Sequence, residues 1–426
     1  MFSMRKFFAL VFMVLMWVSS AWAADYYVVP SSNGEKIKYV KVNTSGNGTL
    51  DTSQWTNATT ETTLRALLTN EDNDANAIED NSIVYMQKGT YKPEKSLRIT
   101  KSVKIYGGFS GNETTLDARD ITTNETIISG TNITEVKNGD TLSSIFYINP
   151  YFKEGGGYRD ANDWQTNKDV TLDGLTITEL TANIAFYGAG VRVELAEGNV
   201  IVNNCKITSN KTYSGNKRGS GGGVYIYGGI LTITNSIIAN NEAASGGGGI
   251  VVGDSSSDPG GAKLKVNNCT IAGNKCGVDG GGIFVWKGSA EIENCTIINN
   301  EAGNNGGGIL IHQESPSTSE STEVINCTLI NNTTTKDDAV ASQIMANTST
   351  KLTVTNSLIW NQATANLIYI GSGVTSTFTT CAFPEGFELD NVTPAATVAT
   401  TWETQSSRLI NRYSLRRSSH GLQNRR

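Results

Sequence analysis

The chain repeats one alternation of apolar and polar positions. In "LTIT" (231–234), Leu231 and Ile233 share one face and Thr232 and Thr234 the other, the period of a half-buried strand. The same phrase returns as "VIVNNCKITSN", "LTITNSIIANN", "LKVNNCTIAGN", "AEIENCTIINN", "TEVINCTLINN" and "LTVTNSLIWNQ". Their small residues, Cys205, Ser236, Cys269, Cys295, Cys327 and Ser357, are 31, 33, 26, 32 and 30 residues apart. A looser copy, "VTLDGLTITEL" (170–180), precedes them, and "FTTCAFPEG" follows, ending at Gly386. A second short run follows each glycine cluster: Val224/Ile226, Ile250/Val252, Ile283/Val285 and Ile309/Ile311 share its inner face.

A recurring unit of this length means a solenoid or a propeller. A propeller blade needs four strands in about 40–45 residues, and these units hold two or three. The pattern therefore predicts a coil with one repeat per turn, like strand stacked on like strand about 4.8 Å apart, with right-handed crossovers. Asn204, Asn235, Asn268, Asn294, Asn326 and Asn356 are expected at corners, because Asn tolerates the left-handed backbone. Stacked amides there can also bond from turn to turn. Ile207, Ile238, Ile271, Ile297, Leu329 and Ile359 should form one inward column. Asn210, Asn241, Asn274, Asn300 and Asn332 are expected at a second corner. The triplets Gly221–Gly223, Gly247–Gly249, Gly280–Gly282 and Gly306–Gly308 would supply corners of positive φ and close contact between turns. A phosphate-binding loop would need a helix after the glycines; a strand pattern follows each time.

Composition narrows the class. Net charge is −6, with 17% charged residues, so no basic footprint for nucleic acid exists. Many Gly (44) and few Pro (7), with abundant Ile, Val and Thr, indicate an ordered all-β chain. Residues 1–23 read as a signal peptide: Arg5 and Lys6, an apolar run over 7–18, and Ala21-Trp22-Ala23 as cleavage site. The apolar run is too short to span a bilayer, and no later run is long enough. The expected parts are a strand and cap segment over 24–81, the coil over 82–390, and an Arg-rich tail over 391–426, either a disordered basic tail or a truncated end. Five of the six Cys fall on the slot that Ser fills elsewhere, which predicts free, stacked thiols acting as small apolar residues. Cys276 is off register and would be the partner in any bridge.

"IxxN" and "GGG[IV]" resemble the polymorphic outer membrane protein repeat, marked by F-x-x-N and G-G-A-[ILV]. Here Ile or Leu stands for Phe and Gly for Ala. "SIVYMQKGTYKP" (82–93), "VKIYGGFSGNET" (103–114), "RDITTNETIISG" (119–130), "WTNAT" (55–59) and "TLRALLT" (63–69) resemble the opening of secreted right-handed β-helix proteins of Bacteroidetes-type bacteria. The resemblance covers roughly residues 40–385. It implies a right-handed single-stranded parallel β-helix of the pectate-lyase type with an N-terminal cap, to which Leu64, Leu67 and Leu68 would contribute. It also implies a secreted protein or one on the outer-membrane surface of a Gram-negative cell, some relatives being adhesin-like. It implies no reaction. "SSRLIN" (406–411) resembles a phrase that relatives carry after the helix, but no sorting domain or barrel pattern follows it.

Candidate chemistry is sparse. The chain has two His, His312 and His420. Asp337-Asp338, the only adjacent Asp pair, stands where one degenerate copy lacks its glycines, and neighbours on a strand point to opposite faces. "EDNDANAIED" (71–80) resembles a calcium loop at Asp72, Asp74 and Asn76, but Ala77 replaces the required Gly and Ile83 the closing Glu. No catalytic residue, metal site or cofactor is expected. One stripe stands out: the outward positions of the post-glycine strand are Tyr225, Val251, Phe284 and Leu310, then Tyr227, Gly253, Trp286 and His312. An apolar, partly aromatic stripe suits a surface polysaccharide or a host or partner protein, unless loops 253–262 or 312–321 fold over it. The leading expectation is a non-catalytic, adhesin-like display scaffold. The alternative is a polysaccharide-binding or polysaccharide-cleaving β-helix.

Overall fold

The computed structural model describes residues 23–43, 49–69, 78–133, 144–148, 168–182, 187–194, 198–212, 219–253, 261–312, 321–337, 341–347, 350–361, 366–385 and 387. The signal segment before Ala23, the tail 391–426, Asp338 and Asp72, Asp74 and Asn76 of the calcium-like loop lie outside them.

Among the described residues the strands stack into four sheets of thirteen, nine, six and nine strands. One turn of the coil visits each sheet in order. The turn through residues 262–285 is representative: Ala262–Asn267, Thr270–Ala272, Lys275–Cys276 and Ile283–Val285. The pairings along the coil are parallel, and from residue 168 onward they keep one register, as in Leu231 to Leu264, Ile238 to Ile271 and Ile250 to Ile283. The earlier pair, 82–87 with 103–109, shifts register between Tyr85 and Gln87. The fold is a right-handed parallel β-helix, all-β apart from a few short helical turns. Its interior is one continuous apolar cluster of stacked Ile, Val and Leu from Ala24 to Cys381.

The corners explain the punctuation. Asn204, Asn235, Asn268, Asn294, Asn326 and Asn356 have φ of 48 to 55° between the first and second sheets. Their amides partly stack outside: Asn268 donates to Asn235 (2.6 Å) and Asn356 to Asn326 (2.7 Å). In the looser copy Gly174 (φ 72°) takes this place. The second corner differs from expectation by one residue. Its left-handed positions are Ser209, Asn240, Gly273, Asn299 and Asn331. Asn210, Asn241, Asn274, Asn300 and Asn332 instead turn inward and are fully buried. Asn241 Oδ1 accepts the Asn210 N–H and side-chain amide (3.0 and 3.2 Å), Asn274 Oδ1 serves Asn241 likewise, and Asn300 serves Asn274. Each Nδ2 also donates to a carbonyl of the preceding turn, Asn274 to Ile238 at 2.9 Å. The ladder is internal because a bend opens backbone groups that no strand can satisfy, and a buried polar group must be paired.

The glycine triplets divide their work. The first residue alone is left-handed: φ is 69° at Gly221 and 65° at Gly247. The second and third are needed for space, since a Cβ on Gly248 would stand 2.4 Å from the Lys275 carbonyl oxygen. On the next degenerate turn Ala341, Ser342 and Gln343 hold the triplet's place, not Asp337-Asp338. Gln343 Oε1 accepts from Asn332 at 2.6 Å.

All six cysteines are free and buried. Cys205, Cys269, Cys295, Cys327 and Cys381 share a column with Ser236 and Ser357, each thiol turned to the carbonyl two residues back. Burial pushes the Cys205 thiol up to about 12. Cys276 packs with Ala243 and Ala302 rather than bridging.

At the N-terminus, Ala24–Pro30 pairs parallel with Ser82–Gln87 and antiparallel with Ile37–Asn43. The helix Leu64–Leu68, capped by Thr63 Oγ1 on the Ala66 N–H (3.1 Å), buries Leu64, Leu67 and Leu68 in the main core. Trp55 closes a second cluster outside the first sheet with Tyr27, Leu50, Tyr85 and Phe109. The "SGNET" loop is held by Glu113, whose carboxylate accepts the N–H groups of Ser110, Gly111 and Asn112 (2.8 to 3.0 Å).

Candidate binding faces

The expected ligand residues lie on the outer side of the fourth sheet. The register stacks Tyr147, Arg192, Tyr225, Val251, Phe284, Leu310 and Met345 into one column. The next outward column carries Tyr227, Gly253, Trp286 and His312. The exposed stripe expected there is not present as one surface. Tyr225 and Val251 are each 1% exposed and Leu310 4%. Tyr227, Phe284, Trp286 and His312 are half-buried.

The cover comes from within the repeat. The glycine turn curls back over the outward side chain that follows it. A Cβ on Gly247 would stand 2.0 Å from Val251, and on Gly280 2.6 Å from Phe284. Gly246 approaches the Phe284 ring in the same way (2.6 Å). Gly253 is the gap that admits the Tyr225 hydroxyl, 2.6 Å from where a Cβ would be. Of the expected covering loops 253–262 and 312–321, residues 254–260 and 313–320 lie outside the described residues.

At its N-terminal end this face holds a buried ionic group. Arg192 Nε donates to Glu194 Oε1 at 2.7 Å, Nη2 donates to the same oxygen, and the Tyr147 hydroxyl donates to Oε2. The guanidinium lies over the Tyr147 ring (5.0 Å) and the Tyr187 ring (5.8 Å), and Tyr187 packs on Tyr225 (4.7 Å). Burial alone would lower the Arg192 pKa; the Glu194 carboxylate outweighs it and raises it. Sequence reasoning missed this group because its members belong to the loose early turns. The available signal was a charged Arg192 in the inner-strand frame "VRVE" where later copies carry Tyr225 and Val251.

Asp279 is the second missed residue. It enters the turn before Gly280 and accepts the Asn305 N–H at 3.1 Å. Burial pushes its carboxyl up, partly opposed by Asn305 and by the charges of His312 and Lys336. Asp337 is exposed in a turn. Among the described residues no group of three or more His, Cys, Asp or Glu could hold a metal ion, and no helix is long and apolar enough to cross a membrane.

The outer side of the second sheet is different. Ile238, Ile271, Ile297, Leu329 and Ile359 point inward and are fully buried. Their neighbours on either side point outward and stay partly open, Ile237 at 43%. Two-residue corners flank these strands, as Asn268-Cys269 and Gly273-Asn274 do around 270–272.

A comparison with curated proteins finds no match. The family model described as "right handed beta helix region" matches residues 67–297, more than half of the chain. That match, falling on stacked parallel turns with left-handed Asn corners, places the chain in the right-handed β-helix family.

Proposed function

We propose that the chain is a secreted or cell-surface β-helix scaffold, adhesin-like, which presents its faces to a partner and does not turn over a substrate. The observation that carries this reading is where the ionic groups are spent. Lys211–Glu242 (2.7 Å), Lys265–Glu291 (2.9 Å) and Lys275–Glu301 (3.4 Å) each join one turn to the next. Arg119–Asp173 (2.6 Å) ties the 116–119 turn to the coil, and Arg192–Glu194 is sealed under tyrosine rings. A hydrolase needs two carboxylates free to act at a defined separation, whereas these stitch the coil. The positively charged start, apolar run and Ala21-Trp22-Ala23 step support export.

Two measurements test it. Full-length chain produced in a Gram-negative host should appear outside the inner membrane and be cut by protease added to intact cells; retention in the cytoplasm sinks the surface reading. Purified full-length protein should release no oligosaccharide ends from a panel of neutral and uronic polysaccharides; release from any one polymer sinks the non-catalytic reading.

A further inference from the structure

The second sheet offers a surface that the repeat does not cover. On five consecutive turns, strands 237–239, 270–272, 296–298, 328–330 and 358–360 pair in register. Their outward residues form two columns: Ile237, Thr270, Thr296, Thr328 and Leu358, and beside it Ala239, Ala272, Ile298, Ile330 and Trp360. None of the ten is charged. The strip is edged by the amide corners Asn235, Asn268, Asn294, Asn326 and Asn356 on one side and by Asn240, Gly273, Asn299 and Asn331 on the other. Charged pairs lie beyond these edges, at Lys265–Glu291 and Lys275–Glu301, and one turn before the strip, where Lys206 stacks on Ile237 and pairs with Glu125 at 2.9 Å.

The dimensions select the occupant. Four strand spacings give a length of about 19 Å, and the two columns stand about 7 Å apart. A stable protein interface buries about 800 Å² on each partner, several times this strip, so a second copy of the chain is poorly matched. A single extended polymer is matched. Threonine hydroxyls and corner amides recur at about 4.8 Å along the axis, suited to a chain bearing hydroxyls at every unit. Ile298, Ile330 and the Trp360 ring offer apolar surface to C–H faces. An acidic polymer would find no cation on the strip and, one turn before it, only Lys206, whose charge Glu125 already offsets.

We infer that the outward face of the second sheet, from Ile237 to Trp360, docks one strand of a neutral polysaccharide lying along the coil axis. The inference rests on the scaffold reading and gives it a ligand class. Because the strip faces outward, its residues can be changed without disturbing the buried columns between them.

The test is affinity electrophoresis of the full-length protein in gels containing a neutral β-glucan, xylan, mannan or dextran, with pectin and alginate alongside. At least one neutral polymer should retard the protein, with little effect of added salt. Ile298→Lys with Ile330→Lys should weaken that binding at least tenfold at an unchanged melting temperature, and Trp360→Ala should weaken it less. Thr232→Lys, on the first sheet, should leave it unchanged. Retardation by no neutral polymer, or only by pectin or alginate, overturns the inference. So does binding that survives the double Lys variant, and binding lost with Trp286→Ala instead would move the ligand to the fourth sheet while sparing the scaffold reading. Self-association in sedimentation that the double Lys variant abolishes would assign the strip to a second copy and overturn it as well. Release of oligosaccharide ends would overturn the scaffold reading and not the strip.

Discussion

The second and fourth sheets are built from the same repeat, yet they treat their outward residues in opposite ways. Tyr225, Val251 and Leu310 on the fourth sheet are nearly as buried as the core. Ile237, Thr270 and Ile298 on the second sheet stay partly open. The strands do not make this difference, since both alternate in and out. The corners do. The second sheet is bounded by two-residue Asn corners too short to reach back over it. The fourth is entered through a glycine turn that folds onto it, close enough that a methyl group on Gly247 or Gly280 would collide with Val251 or Phe284. Which face of a solenoid can meet a partner is set by the turns before it.

The largest test of the covered face is Arg192→Met. It leaves the Glu194 carboxylate and the Tyr147 hydroxyl buried without their cation, which costs about 4 kcal/mol for a broken buried pair. Adding Glu194→Leu should recover most of that loss, because an apolar pair needs no compensation. Urea midpoints of the single and double variants measure it; a single variant as stable as wild type would mean that Arg192 is solvated and the face open.

Gly248→Ala comes next. Its Cβ would meet the backbone oxygen and nitrogen of Lys275 at 2.4 and 2.6 Å, with no flexible side chain to yield. Overpacking of this kind costs about 3 kcal/mol. Ala272→Thr on the second sheet adds more atoms outward and should shift the midpoint by less than about 0.5 kcal/mol. Equal effects at the two sites would erase the distinction between the faces. Asn274→Ala should cost about 2 kcal/mol, because Asn241 loses the acceptor for its N–H and side-chain amide and Ile238 loses a donor. Asn268→Ala, at an exposed corner, should cost less, and the gap between the two measures the internal ladder against the external one.

Much of this architecture was legible in the repeat. The period, the inward Ile column, the Asn corners of the first bend and the Cys/Ser slot follow from spacing alone, because each residue type meets a requirement that recurs on every turn. The second corner was read one residue late. Both members of Asn240-Asn241 tolerate a left-handed backbone, and only the need to satisfy amides inside the bend turns Asn241 inward and leaves φ of 55° to Asn240. The stripe is closed at Tyr225, Val251 and Leu310 for a similar reason. Alternation places Tyr225 outward, but it cannot reveal that Gly188 and Gly221 close on it from two turns, so near that a Cβ added to either would stand 2.8 or 3.1 Å from the Tyr225 Cβ. The Arg192 group was hidden because it occurs once, and a pattern that occurs once has no period.

The smallest effect separates the faces by pH. Asp279 lies at the covered face, and its folded pKa is raised, chiefly by burial. A raised carboxyl contributes stability below its unfolded pKa and loses it as pH rises through the folded value. Asp279→Asn removes that loss. At neutral pH it should raise the midpoint slightly, by less than about 0.5 kcal/mol because water screens a half-exposed carboxylate, and at pH 3 it should change nothing. Glu113 has the opposite sign. Burial alone would raise it, but hydrogen bonds from Ser110 and Gly111 hold it below the ordinary carboxylate value. Its contribution is present above its unfolded pKa and is lost as pH falls through the folded one, so Glu113→Gln should destabilise at neutral pH and converge on wild type in acid. Midpoints from pH 3 to 8 for both variants should therefore diverge from wild type in opposite directions as pH rises. Parallel curves would mean that Asp279 is as solvated as a residue on the second sheet, and that the glycine turns do not close the fourth.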